Sequence, residues 1–344
     1  MNQPFISVIL ASHDKRKYFF DAIDSIHKQT LSPNRYEVLI VKDYLDEEVD
    51  SKIEEYGFKS IFTEEKSFQG KIKIGVLESK GEILTFLEDD DIYTENRLEI
   101  INEEFIKHPL LIYYHNSHTP IDYKGNTLER SLYYNITERN YIENGSDYEK
   151  SLSTVASSNP DFNTSTMAIR KSTFMDSMPY FEKMTGAVDN FIFYCSAKTG
   201  GQLLFDPKKL TYYRIHSSQT IRNDSYETYM KKRDQKAINL FKSYGIILEM
   251  TIGTPAQKIW ENEYYIYKSY LGIFQAANGD KQFLPGLKET IFMAIYAISF
   301  RKKFILLLII WTYLFRVSPR LFRYPYYRYK MWELARVSQQ FELN

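Results

Sequence analysis

KGEILTFLEDDDIYTENRLE, residues 80–99, decides how this chain is interpreted. Residues 83–87 form a short, almost entirely apolar run rich in β-forming residues, which is typical of a strand buried on both faces of a parallel sheet. The next four residues are all carboxylates: Glu88, Asp89, Asp90 and Asp91. Acidic runs are usually solvated loops. At the end of a buried strand, however, they repel one another unless a cation lies beside them, and a hard divalent ion with phosphate oxygens is the usual solution.

Working outward, the chain alternates strand-like and helix-like segments through its first hundred residues. The predicted strands are residues 5–10, 36–41, 60–63 and 83–87, and the predicted helices are residues 18–29, a segment ending at 56, and 71–79. This alternation is typical of a doubly wound α/β domain. Because the loops after parallel strands meet at one edge of the sheet, we expect Ser12, Asp43 and the four carboxylates to converge. Thr94 is the predicted N-cap of the next helix.

After a strand at residues 110–114, the stretch from His115 to Asn163 is polar and is predicted to be mostly a loop that binds or covers a ligand. It contains His115 and His118, for which no third zinc ligand is found nearby in sequence. The pattern then predicts a strand at 166–170, a helix at 189–197 closed by Gly200 and Gly201, and strands at 202–205 and 210–215. Neither G-x-G-x-x-G nor G-x-x-x-x-G-K-[ST] occurs, so a nucleotide at this edge would be held by carboxylates and a metal.

Composition limits the class of protein. The 344 residues carry no net charge, but residues 301–344 hold nine Lys or Arg against two Asp or Glu, so an acidic body carries a basic tail. An aromatic content of 16%, with 29 Tyr, excludes a disordered chain and is compatible with grooves for ring-shaped ligands. Cys195, the single cysteine, excludes an internal disulfide and is predicted to be a buried apolar residue. No signal peptide is expected at the start.

Four blocks of the sequence resemble the inverting glycosyltransferases of the large family two, which have the GT-A fold. They are PFISVILASHDKRKYFFDAIDSIHKQT (4–30), YEVLIVKD (36–43), KGEILTFLEDDDIYTENRLE (80–99) and GAVDNFIFYCSAKTGGQLLFDPKKLTYYRIHSSQT (186–220). Their order and number are far more specific than a DxD motif alone. The resemblance implies a GT-A domain, Rossmann-like with a mostly parallel sheet between helices, over residues 1–220, and leaves residues 221–344 as a C-terminal helical extension.

The resemblance also implies roles for individual residues. Asp43 would accept a hydrogen bond from the base or ribose, and Asp89 would reach the ribose. Asp90 would hold the metal, although Glu88 or Asp91 remains an alternative ligand.

Other roles follow from the same blocks. Asp189 would be the catalytic base, and its alternative role is a helix N-cap. Arg214 and His216 would face the diphosphate, and His216 could instead touch the metal. The remaining candidates at this edge are Ser12 and the cations Lys15, Lys71 and Lys73.

These roles imply an inverting hexosyltransferase that uses a UDP- or GDP-sugar with Mn²⁺ or Mg²⁺ and acts on a glycan or polyprenyl-linked acceptor in cell-surface polysaccharide synthesis. The metal would neutralise the departing diphosphate, and a general base would deprotonate the acceptor hydroxyl. Two alternatives stay open: a polyprenyl-phosphate sugar synthase, whose anionic acceptor needs no base, and a catalytically silent nucleotide-sugar-binding module.

Residues 291–300 and 304–315 are apolar but each is too short to span a bilayer. A single helix across both would bury Arg301, Lys302 and Lys303 near the bilayer centre. We therefore expect two short helices in the membrane interface, with Trp311 and the Tyr-rich segment after it meeting anionic headgroups. The alternative is a helical core or a homo-oligomer contact. The expected location is cytoplasmic, peripheral at the cytoplasmic face of the membrane, with no nucleic-acid partner.

Overall fold

The computed structural model describes residues 5–13, 17–128, 135–143, 145–156, 160–215, 226–277, 281, 283–299 and 303–340. The chain divides into two compact units. The first ends at Ile215, with a short addition at Thr254–Ala256, and the second contains the helices from Tyr226 onward.

Within the described residues, the first unit is built on one nine-stranded sheet flanked by helices. Its strands are β1 Ile6–Ser12, β2 Tyr36–Lys42, β3 Lys59–Phe62, β4 Ile83–Glu88, β5 Ile92–Tyr93, β6 Leu111–Ile121, β7 Asn140–Ile142, β8 Met167–Arg170 and β9 Gln202–Arg214. Its helices are α1 Phe19–His27, α2 Glu47–Glu55, α3 Phe68–Glu78, α4 Arg97–Lys107, α5 Tyr148–Ala156, α6 Lys171–Asp176, α7 Met178–Phe181 and α8 Val188–Ala197.

The strand order is β3-β2-β1-β4-β8-β6-β9-β5, and β7 also pairs with β9. The strands β1 to β4 are parallel to one another, whereas β8 runs antiparallel to both β4 and β6. The mixed, mostly parallel α/β sheet with additional C-terminal helices confirms the predicted fold class.

The register of the parallel strands brings their carboxyl ends together. Ser12 pairs with Lys42 across β1 and β2, and Ala11 pairs with Glu88 across β1 and β4. Because β8 is antiparallel, its amino end lies at this same edge, so the residues just before Met167 also arrive there. The edge therefore receives both the ends of three parallel strands and the entry to β8.

Close packing of α3 against β1 places one helix beside this edge. A Cβ added to Gly75 would lie 2.4 Å from Cγ2 of Ile9, so only glycine allows this approach. Ile72 and Val76 of the same helix are fully buried. The helix is thereby fixed with Lys71 directed toward the end of β1.

The strand predicted at residues 110–114 is longer than expected, because β6 continues to Ile121, and β7 and α5 also lie within the stretch predicted to be mostly loop. The polar side chains of β6 are largely buried and find partners that the local sequence does not show. His115 Nε2 lies 3.1 Å from the carbonyl oxygen of Phe162, and Ser117 Oγ donates to the carbonyl of Ile136. The two strands predicted at 202–205 and 210–215 are also one continuous strand, β9.

The start of α4 is fixed by a residue that is distant in sequence. Thr94 was predicted as its N-cap, but the N-cap position is Asn96, which makes no capping hydrogen bond. Instead, Gln29 Oε1 accepts from the amide of Leu98 at 2.8 Å, and its Nε2 donates to the carbonyl of Thr94 at 2.8 Å. Gln29, two residues beyond the end of α1, thus anchors the segment that follows the four carboxylates.

The second unit is helical. Its helices are α9 Tyr226–Thr251, α10 Gln257–Ala277, α11 Leu287–Ser299, α12 Lys303–Val317 and α13 Pro319–Gln340. Helices α10 to α13 share an apolar core around Ile273, Met293 and Tyr326. Trp311, which we expected to meet headgroups, instead packs within this unit, with its ring 5.2 Å from that of Tyr326. None of the described helices combines the length and the apolarity needed to cross a bilayer.

Arg97 offers a test of the buried polar structure next to the site. Its fully buried guanidinium donates to Asn116 Oδ1 at 3.0 Å and Thr85 Oγ1 at 2.9 Å, and lies over the ring of Tyr93. Arg97→Ala should leave these buried acceptors unsatisfied and lower the free energy of unfolding by about 3 kcal/mol, measured by urea denaturation. Exposed Glu103→Ala on the same helix should change it by less than about 0.5 kcal/mol. Equal effects of the two variants would contradict the prediction.

Candidate active site

Asp43, directly after β2, is surrounded by two lysines and a histidine. Its carboxylate lies 2.9 Å from His13 Nδ1, 3.1 Å from Lys66 Nζ and 3.2 Å from Lys71 Nζ. Lys71 is buried and also donates to the carbonyl of Ser12 at 2.8 Å. Two strand ends and α3 are therefore joined through one buried carboxylate.

An open cavity of about 310 Å³ lies beside this group. Its lining residues are Ala11, His13, Lys66, Phe68, Lys71, Glu88 and Asp89. The backbone amide of His13 donates to Asp89 Oδ2 at 3.1 Å, which ties the end of β1 to the acidic run. Cations, an aromatic ring and carboxylates thus share one concave surface, the mixture that a charged ligand with a flat ring requires.

Glu88 begins the acidic run and is held by the segment that enters β8. Its carboxylate accepts from Thr164 Oγ1 at 2.7 Å, and its amide donates to Ser165 Oγ at 3.0 Å. Burial, followed by the charges of Asp91 and Asp90, raises the pKa of Glu88 well above its usual range. Repulsion within the run is therefore present in the folded chain, as the sequence predicts.

Asp91 is buried and doubly bonded. It accepts from Asn163 Nδ2 at 2.9 Å and from the backbone amide of Arg214 at 3.0 Å. Burial and the neighbouring charge of Asp90 raise the pKa of Asp91 to about 7, against these hydrogen bonds. The end of β9 is in this way attached to the acidic run.

Arg214 places its buried guanidinium beneath the acidic run. Its Nε donates to the carbonyl of Asp90 at 2.9 Å, its terminal nitrogen donates to Asp21 at 2.8 Å, and the group lies 4.2 Å from the centre of the Tyr18 ring. Arg214 thus supplies positive charge next to Asp90 and fixes the backbone of that residue.

Asp189 is the second residue of α8, and most of its surface is buried. The N-cap is Ala187, so the alternative role of Asp189 as the N-cap is wrong. Its carboxylate accepts from the amide of Asn190 at 2.9 Å and is also hydrogen-bonded by the backbone of Asn163. Burial, followed by the charge of Asp161, raises the pKa of Asp189 to about 7. An acid with this pKa can accept a proton near neutral pH.

The segment 161–166, which we call the β8 entry segment, was missed by the sequence-based prediction. Asn163 contributes its side chain to Asp91 and its backbone to Asp189, while Thr164 and Ser165 contact Glu88. The residue types are ordinary turn formers, and no periodicity distinguishes them. Only the antiparallel insertion of β8 beside β4 brings them to the edge.

The structure brings most of the predicted residues to this edge. Ser12 is buried, with its hydroxyl 3.0 Å from that of Tyr44. Lys73, two residues after Lys71 on α3, lies on a different side of the helix, where its ammonium is 3.8 Å from Glu182. Lys15 and His216 lie outside the described residues.

Comparison with known proteins agrees with this architecture. Residues 7–176 match the model of Glycosyl transferase family 2. This region is a family 2 glycosyltransferase domain. The mannosyltransferase PcManGT from Pyrobaculum calidifontis, solved with GDP-Man and Mn²⁺, superposes with a TM-score of 0.53 at 14% identity over 93% of this chain and 88% of that one. This similarity shows that the chain has a GT-A-like fold.

Other relatives are more distant or shorter in overlap. TarS of S. aureus, residues 1–349 in complex with UDP-GlcNAc, gives a TM-score of 0.49 at 14% identity, covering 87% of this chain and 92% of that one. An uncharacterized glycosyltransferase of Rickettsia bellii is 24% identical over 36% of this chain and 18% of its own length. A second, from Rickettsia prowazekii, is 28% identical over 28% of this chain and 30% of its own. The match thus spans less than a third of either curated relative.

The donor set of this glycosyltransferase domain fits a divalent cation that substrate oxygens help to bind. In the described parts of the chain, no three His, Cys, Asp or Glu side chains form a ready-made metal cluster. Mg²⁺ in particular is usually held by one or two carboxylates together with phosphates and water. Burial, followed by the charges of Asp91 and Asp90, raises the pKa of Glu88, and a cation bound beside these carboxylates would favour their ionised forms. Glu88, Asp90 and Asp91 are the candidate ligands.

Asn163 provides a test of the β8 entry segment. Its φ of 66° lies in the left-handed region, so Asn163→Gly removes the side chain without adding backbone strain. Losing the hydrogen bond to Asp91 should weaken the affinity for Mn²⁺, titrated in the presence of UDP or GDP, by about 10- to 100-fold. The exposed Asn126→Gly should leave that affinity unchanged. An unaltered Mn²⁺ titration for Asn163→Gly would show that this side chain does not orient the acidic run.

Proposed function

We propose that the chain transfers a hexose, with inversion, from a nucleoside-diphosphate donor to a hydroxyl of a glycan or of a polyprenyl-linked glycan. One observation carries the proposal: three groups of residues lie at the carboxyl edge of the sheet. The first suits the nucleoside of a donor, the second a diphosphate with its cation, and the third the removal of a proton from an acceptor. These groups are the cations around Asp43, the run from Glu88 to Asp91, and Asp189. Membership in the glycosyltransferase family supports the same reaction.

The cavity beside Asp43 is the proposed donor site. Phe68 offers a flat apolar surface to a base, and Lys66 and Lys71 offer positive charge to ribose or phosphate oxygens. The fold neighbour PcManGT holds GDP-Man with Mn²⁺, and we extend to this chain the class of donor, a UDP- or GDP-sugar, but not the sugar itself.

A divalent cation, Mn²⁺ or Mg²⁺, would be held by Asp90 with Glu88 or Asp91. When bound, it supplies Lewis-acid stabilisation of the leaving diphosphate. Arg214 fixes the backbone at Asp90, and Asn163 fixes the carboxylate of Asp91, so the candidate ligands are positioned before substrate arrives.

Asp189 is the proposed general base. It must be ionised to take the acceptor proton, and burial together with Asp161 holds its pKa at about 7. Its base strength is therefore higher than that of an ordinary carboxylate, while much of it is still ionised at neutral pH. The acceptor is proposed to be membrane-linked, and the chain to act peripherally at the cytoplasmic face in polysaccharide synthesis. The basic, apolar second unit supports this.

Asp189→Asn tests the base directly. Turnover should fall by about 100- to 10,000-fold, while donor binding, measured by thermal shift with Mn²⁺, is retained. The exposed Asp176→Asn should behave as wild type in both assays. In a polyprenyl-phosphate sugar synthase, whose acceptor is already anionic, turnover would change little.

The pH profile gives a second readout of the same residue. Because the base works ionised, kcat/KM should rise with pH through an apparent pKa near 7 and be lost below it. Asp161→Asn removes a charge that raises the pKa of Asp189, so this limb should move to lower pH. If the apparent pKa of the profile is the same in Asp161→Asn as in the wild type, Asp161 does not influence the ionisation of the base.

Asp90→Ala tests the metal and excludes a silent binding module. Transfer or slow donor hydrolysis should require Mn²⁺ in the wild type and drop to background in the variant, with the melting temperature without ligand kept within a few degrees. Glu95→Ala, a carboxylate on the exposed loop before α4, should retain the Mn²⁺ response. Metal-independent turnover in the wild type would refute the metal-dependent mechanism.

A further inference from the structure

Helices α11 and α12 are apolar on two sides. One side of each faces the core of the second unit, through Met293, Tyr296 and Ala297 of α11 and through Ile305, Leu308 and Phe315 of α12. A helix with apolar residues on both sides is normally covered on both sides. In this unit the outer sides are open to solvent.

The outer side of α11 is a stripe of isoleucines. Ile291, Ile295 and Ile298 are 51%, 60% and 70% exposed, and Leu287 precedes them in the same exposed class. Spacings of four, four and three residues put all four side chains on one face of the helix. Single exposed apolar residues are normal, but a continuous stripe marks a surface that contacts something apolar.

The outer side of α12 repeats the pattern. Phe304, Leu307, Ile310 and Val317 are exposed, again at helical spacing. Helices α11 and α12 contact each other, and we call their two exposed stripes together, eight residues in all, the outer apolar face. It carries no acidic side chain.

The charge around this face is strongly one-sided. Residues 287–332 contain nine Lys or Arg and one acid, Glu289. That acid lies 2.6 Å from Lys268 and is thereby neutralised. Among the cations, Lys288, Lys303, Arg320, Arg323 and Arg328 are exposed. A second copy of this chain would bring the same positive charge against itself, whereas an anionic surface would attract it.

We propose that the outer apolar face inserts into the interface of a bilayer that contains anionic lipids, with the surrounding cations on the headgroups. Helices of 13 and 15 residues extend about 20 to 22 Å, short of the roughly 30 Å hydrocarbon core, so they lie along the surface. This inference rests on the proposed function in one respect: the membrane is where a polyprenyl-linked acceptor would be found. The membrane contact is thus assigned to the outer apolar face and not to Trp311, which packs inside the unit.

The test is co-sedimentation of the full chain with vesicles of phosphatidylcholine alone or with 30% phosphatidylglycerol. Wild type should bind the anionic vesicles, bind neutral ones far more weakly, and lose affinity as salt increases, since each cation near an anionic surface contributes about fivefold. Ile295→Glu should reduce binding to anionic vesicles by about 10- to 100-fold. The matched change Ile106→Glu, at an isoleucine of the first unit that is 56% exposed, should leave binding as in wild type.

Melting temperature and donor binding are measured on the same samples. Loss of vesicle binding in Ile295→Glu with donor binding intact supports the membrane face independently of catalysis. The reverse result, loss of donor binding with vesicle binding intact, would count against the membrane face and not against the donor site. If Ile295→Glu failed to fold, Arg320→Ala with Arg323→Ala would still be expected to weaken binding to anionic vesicles by at least about tenfold. Wild-type chain that ignores anionic vesicles, or that sediments with them equally well as Ile295→Glu, overturns the proposal. A dimer that Ile295→Glu converts to monomer, without vesicle binding, also overturns it.

Discussion

Electrostatic repulsion at the carboxyl edge of the sheet is the constraint on which the rest of the first unit depends. β4 delivers Glu88 and the three aspartates after it to a place where water is largely excluded, and the raised pKa values of Glu88 and Asp91 show the consequence. The folded chain stabilises these carboxylates with neutral hydrogen-bond donors and one guanidinium instead of a full set of ion pairs. Thr164, Asn163 and the amide of Arg214 each reach a carboxylate, while the guanidinium of Arg214 lies beside Asp90. Part of the repulsion therefore remains for a bound cation to relieve.

Asp43, at the same edge, shows the opposite balance. The ammonium groups of Lys66 and Lys71 both lie beside its single carboxylate, so positive charge is in excess around this residue. A ligand with a diphosphate and a divalent cation carries both signs. Placed between the two groups, it would meet positive charge at one end and negative charge at the other, which fixes its direction as well as its affinity.

Local periodicity predicted the parallel strands β1, β2 and β4 because each is a nearly continuous apolar run. It placed Asp43, Glu88 and Asp189 at strand or helix ends for the same reason. It could not find the β8 entry segment, since Asn163 and Thr164 acquire their partners only when β8 inserts antiparallel beside β4. It also ended β6 too early, at residue 114, because His115, Ser117 and His118 are polar yet buried. Burial lowers the pKa of the two histidines to about 3 and about 4, so they stay neutral.

Backbone strain in the described residues points to the same place as the charges. Apart from glycine, two of these residues have positive φ, Asn163 at 66° and Ala187 at 59°. Such conformations are uncommon for residues with a side chain and persist where the surrounding structure holds them. Asn163 hydrogen-bonds both Asp91 and Asp189, and Ala187 turns the chain into α8 two residues before Asp189. Relaxing either turn would redirect the segment that positions Asp189. The strained conformations therefore maintain the position of Asp189 at a cost in local stability.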